Sequence, residues 1–222
     1  MITKTEQKKA FFNVLTPYFT KLGFKKHLSG GAPTYYLNNN GIVTHFFFNF
    51  FSNKEIGSGS LNLTNYEVED YILNIGIPTM ILDKYREKGR LHLPTVSLRK
   101  LPDNIKARPL KTISEVEDFA KAYIQFYENQ GTKFIEKYSY LPNILTEIDK
   151  MEAEGKNFKD LVSGMGDAFI RLLIISKLCN SPLFNKRLEK IDGMIQSATE
   201  WLPYWEKYKK VLETIEPKYN IV

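Results

Sequence analysis

Few side chains in this sequence can do acid-base or metal chemistry: three histidines, His27, His45 and His92, and one cysteine, Cys179. No histidine has a His, Cys, Asp or Glu at a helical metal-ligand step, and one thiol can neither close an internal disulfide nor share a metal with a second. No metal or cofactor is expected. Cys179 ends an apolar run and reads as a core thiol. The Gly-x-Ser-x-Gly turn of hydrolases does not occur. Two glycine-rich stretches, residues 57–60 and 163–167, lack the Lys-Ser/Thr pair of a phosphate loop, although the second precedes a helix and could offer amides to an anion.

His45 has the most suggestive setting. It lies in Ile42-Val43-Thr44-His45-Phe46-Phe47-Phe48-Asn49-Phe50-Phe51, a β-branched and aromatic run that follows Asn40-Gly41. Both turn residues tolerate the positive φ of a type I′ turn, so the run reads as the second strand of a hairpin. Alternation sends the even positions to a core face and Val43, His45, Phe47, Asn49 and Phe51 to a mixed face. Residues 69–77 repeat that pattern, with Asp70 and Asn74 on the mixed side. If the two strands were antiparallel neighbours, His45 and Asn49 would meet Asp70 and Asn74, with Phe47 and Phe51 between them. An imidazole beside a carboxylate can serve as a general base, or the group can hold a polar ligand in an apolar cleft. A covering helix could equally satisfy these polar groups internally.

The elements that must position this face follow from periodicity. Apolar residues at three- and four-residue steps mark a helix over about 5–22, with a kink or break expected near 13–16 because of Pro17. Strands are expected at 34–37, 42–51, 69–77 and 95–99, with a polar loop at 53–60, a short unassigned stretch at 61–64 and an ambiguous helical turn at 80–88. After Pro109 the pattern turns helical, capped by Thr112 or Ser114 and interrupted near Gly131. Further helices are expected at 143–152, 168–178, 183–199 and 203–215. The fold class is therefore α+β: an N-terminal helix and antiparallel sheet over 1–111, then an all-helical region over 112–222 packed on it as one compact unit.

With 43% hydrophobic and 14% aromatic residues in 222, the chain has ample material for a core. Its polar N-terminus and the lack of any long apolar run point to a cytoplasmic protein with no membrane partner. The net charge of +6 is concentrated, since residues 84–111 alone sum to +7. Arg86, Arg90, Arg99, Lys100 and Arg108 form a candidate basic surface for an acidic protein partner; the plainer reading is a solvated linker and an edge strand guarded by positive charge. Nucleic acid is the less favoured partner, because no aromatic-basic alternation accompanies these charges.

Three features occur in a familiar order: a helix entering Leu22-Gly23-Phe24-Lys25-Lys26, a hairpin with an aromatic second strand, and a Thr112-Ile113-Ser114-Glu115 helix continuing through Gly131-Thr132-Lys133-Phe134-Ile135-Glu136. This order resembles the DUF4304 family of bacterial proteins of unknown function, over roughly residues 1–150. The resemblance implies no catalytic residues. It suggests an immunity-type role, since related small domains occur near bacterial toxin systems. The expected function is a non-catalytic protein-interaction protein; the alternative is a small-ligand binder or enzyme with its site at His45 and Asp70.

Overall fold

The computed structural model describes residues 2–29, 32–53, 55–78 and 93–220. Arg86, Arg90, His92 and the turn expected at 80–88 lie outside them. The chain divides into two units, residues 1–63 with 98–136, and residues 64–97 with 137–222. The architecture is α+β, an N-terminal helix and an antiparallel sheet followed by helices.

The first unit begins with α1 (Lys4–Lys21), closed by a capping box: the Glu6 N–H donates to Thr3 Oγ1 at 3.2 Å and the Thr3 N–H donates to the Glu6 carboxylate at 2.7 Å. The break expected near Pro17 does not form. Pro17 is exposed in the last turns, where its ring removes one backbone hydrogen bond, while the buried row Phe11, Leu15 and Phe19 holds the helix together on both sides.

The strands are β1 (Lys25–Ser29), β2 (Ala32–Asn39), β3 (Ile42–Phe50), β4 (Glu55–Ser58), β5 (Leu61–Asn65), β6 (Val96–Leu98) and β7 (Arg108–Pro109). The path runs β1-β2-β3-β4-β7, and β5 pairs with β3 and β6. The expected hairpin turn is present: Asn40 has φ 51° and Gly41 φ 86°, as a type I′ turn requires. Half of the polar loop expected at 53–60 is β4. Ile56 is buried there, and Gly57 lets the strand close on Ala107, where a Cβ would come within 3.1 Å of its side chain.

The even face of β3 is core, as alternation predicts. Phe48 lies 4.7 Å from both Phe11 and Tyr123, and Phe46 stacks on Tyr35 at 5.5 Å with 18° between the ring planes. Tyr123 comes from α3 (Ile113–Phe126), which starts with a second capping box, Thr112 and Glu115. The interruption foreseen at Gly131 is a π-helical turn, Tyr127–Gly131, leading into α4 (Thr132–Tyr138).

In the second unit, residues 69–77 are not a strand. They belong to α2 (Tyr66–Ile75), which Asn65 caps by accepting from the Glu67 N–H at 2.8 Å and which Gly76 ends at φ 94°. Val68, Glu69 and Ile72 form its buried face, a helical spacing that the alternation of Tyr71, Leu73, Ile75 and Ile77 conceals. The remaining helices are α5 (Leu141–Ala153), α6 (Asp167–Leu178), α7 (Phe184–Ile195) and α8 (Leu202–Thr214). The helix at the centre of this unit is α6: α2, α5, α7 and α8 all contact it, and ten of its twelve residues are buried.

Candidate functional site

The juxtaposition proposed for His45 depended on a strand that is a helix. β3 is flanked by β2, β4 and β5, so the cross-strand pairing of His45 and Asn49 with Asp70 and Asn74 does not form. His45 is 5% exposed and stands opposite Tyr36 on β2. Phe47 packs on Gly59, where even a Cβ would lie 2.6 Å from its ring, and Phe51, just past the end of β3, is 43% exposed. Asn49 is half-buried, whereas Asp70 and Asn74 are exposed on α2. Within the basic segment, Arg99, Lys100 and Arg108 are exposed, and the Arg108 guanidinium sits 5.5 Å from the Phe119 ring.

The strongest polar assembly lies in the second unit and joins residues far apart in sequence. Arg171, 1% exposed in the middle of α6, donates from Nε to Glu69 Oε1 at 2.7 Å and from Nη2 to Oε2 at 2.8 Å. Its Nη1 donates to the Ser163 carbonyl at 3.0 Å and to the Asp167 carboxylate. Glu69 Oε1 also accepts from Thr95 Oγ1 at 2.7 Å, and that hydroxyl accepts from the Asn65 N–H at 2.8 Å. Burial works against the charge on Arg171, but the charges and hydrogen bonds of Glu69 and Asp167 outweigh it and raise its pKa. Such a closed, saturated pair is a structural clamp rather than an open reaction centre.

What the clamp holds is the loop 163–167. The Met165 N–H donates to Asp167 Oδ1 at 2.8 Å, so the amide that could have met a bound anion is taken by the protein's own carboxylate. Gly164, at φ 104°, leaves no room for a side chain: a Cβ there would lie 2.5 Å from Arg171 Nη1 and Asp167 Oδ1. At Gly166 a Cβ would lie 2.6 Å from the Trp201 ring. Between these two fixed glycines the Met165 side chain is 85% exposed.

Sequence reasoning did not find this assembly, although it left two signals. Arginine is out of place in the most apolar helix unless paired, and Asp167 stands four residues before it, on the same helical face.

Among the described residues, no cluster of His, Cys, Asp and Glu could hold a metal, and no helix is long and apolar enough to cross a membrane. No family model matches the chain, nor does any curated protein or solved structure.

Proposed function

We propose that this chain is a non-catalytic protein-binding protein, of the immunity type its sequence resemblance implies, and that it meets its partner through the loop bearing Met165. The observation that carries this reading is the exposed Met165 side chain on a loop fixed by the Arg171 clamp, Gly164 and Gly166. A thioether is flexible and polarisable and fills irregular pockets well. Holding its backbone still before binding removes much of the ordering cost that a mobile loop would meet on association. Apolar anchors of this kind dominate interface energetics when they enter a pocket on the partner.

The experiment is co-purification of the tagged chain with the products of the reading frames flanking its gene, followed by titration of any captured product. Met165→Asp is expected to weaken binding more than about tenfold, the range of a central interface residue. Its circular dichroism and melting temperature are expected to match the parent, since the side chain touches solvent. A captured partner that binds Met165→Asp as tightly as the parent overturns the proposal.

A further inference from the structure

The second unit also contains a cleft of about 690 Å³, lined by the end of α5, the turn after it, and α7. At its floor Arg187 is fully engaged. Nε and Nη2 donate to Glu152, Nη2 also to Asp149, and Nη1 to Ser176 Oγ at 3.1 Å and Ser181 Oγ at 3.3 Å. With every N–H committed, the guanidinium has none left for a ligand, and it neutralises part of the charge on the two carboxylates.

The rim is different. Lys156, Lys159, Lys186 and Lys190 all line the cleft. Lys156 pairs with Glu154 at 2.6 Å, and the Lys159 ammonium lies 4.1 Å from the centre of the Phe169 ring. Lys186 and Lys190 are exposed, one turn apart on α7, and have no carboxylate partner among the described residues. Like charges at that spacing weaken a helix, so an anion that bridges them stabilises α7. Apolar residues share the cleft wall with them: Leu183, 38% exposed, and Met194, 42% exposed, flank the two lysines along one helical row, and Phe169 is half-buried.

We infer that this cleft docks an acidic, amphipathic helical segment of a partner protein. Its apolar stripe covers Leu183, Met194 and Phe169, and its carboxylates, spaced i and i+4, match Lys186 and Lys190. A small inorganic anion would leave the apolar wall uncovered and would find no free guanidinium to grip it. An apolar segment would leave the lysine charges uncompensated. The inference extends the protein-binding reading to a second surface, and its test does not pass through Met165.

The probe is a fluorescein-labelled helical peptide with Leu and Met on one face and Glu at i, i+4 along its border; a control peptide carries Lys in place of Glu. The acidic peptide is expected to bind the full chain at least tenfold tighter than the control, with affinity falling as salt rises. Lys186→Glu with Lys190→Glu is expected to reduce binding at least tenfold, as is Met194→Asp alone. Lys207→Glu with Lys210→Glu, on α8 and outside the cleft, is expected to leave it unchanged. Circular dichroism verifies that each variant is folded. Equal binding of the two peptides, or indifference to the Lys186 and Lys190 reversal, overturns the inference. Displacement of the peptide by free glutamate at the peptide's own concentration also overturns it, assigning the cleft to a small anion instead.

Discussion

Arg171 and Glu69, 102 residues apart, form a two-pronged ion pair at 2.7 and 2.8 Å with both residues at most 1% exposed. In such a pair each charge justifies the burial of the other. Arg171→Met therefore strands Glu69 and Asp167 and is expected to destabilise the protein by about 3–5 kcal/mol. Replacing Glu69 by Leu in the same chain removes one stranded charge and is expected to recover part of that loss. Urea unfolding midpoints, compared at an unchanged m-value, provide the measurement.

The glycines of the Met165 loop should be intolerant for two different reasons. Gly164→Ala meets both a positive φ and the Arg171 and Asp167 side chains, whereas Gly166→Ala meets only the Trp201 ring. Each is expected to cost about 1–3 kcal/mol. Only Gly166→Ala should alter tryptophan emission strongly, because it displaces Trp201. Thermal melts together with fluorescence spectra separate the two effects.

Cys179 is fully buried, and burial, reinforced by the charges of Glu67 and Asp149, pushes its thiol up to about 12. At pH 8 it is a neutral, shielded thiol. Alkylation by iodoacetamide in native buffer is expected to be on the order of 100-fold slower than in denaturing urea. Mass spectrometry over a time course reads the two rates.

Glu115 closes the cap of α3, and the N–H groups of Lys111 and Thr112 hold its carboxyl below the ordinary value of 4.5. A depressed folded pKa contributes stability that is present above the unfolded value and lost as pH falls through the folded one. Glu115→Gln is therefore expected to lower the melting temperature at pH 7. The difference from the parent should shrink below pH 4.5 and vanish once the Glu115 carboxyl is protonated in the folded as well as the unfolded state.

Features governed by neighbouring residues were readable from sequence. The Asn40-Gly41 hairpin and the Thr112 cap each depend on the φ or hydrogen-bonding capacity of one or two side chains. Periodicity hides α2 because Tyr71, Leu73, Ile75 and Ile77 alternate like a strand, whereas Asn65 followed by Glu67 and Glu69 is the N-terminal signature of a helix. The Arg171 clamp has no local signature beyond a charge in an apolar helix, because its partner is supplied by a helix about a hundred residues earlier. Lys186 and Lys190 are visible in the sequence, but only the cleft they line distinguishes them from an ordinary solvated face.

The interleaving of the two units has a consequence for synthesis. The first unit needs residues 98–136, so the ribosome must make residues 64–97, which belong to the other unit, before the first can close. During that interval Phe46 and Phe48 have α1 beside them but lack Tyr123, which lies 5.2 and 4.7 Å from them in the finished structure. A nascent chain ending before α3 thus displays a strand of dense aromatic character with no charge to discourage self-association. Chains truncated near residue 108 should collect as aggregates, whereas chains extended past residue 136 should remain in solution, making α3 in effect the protein's own chaperone.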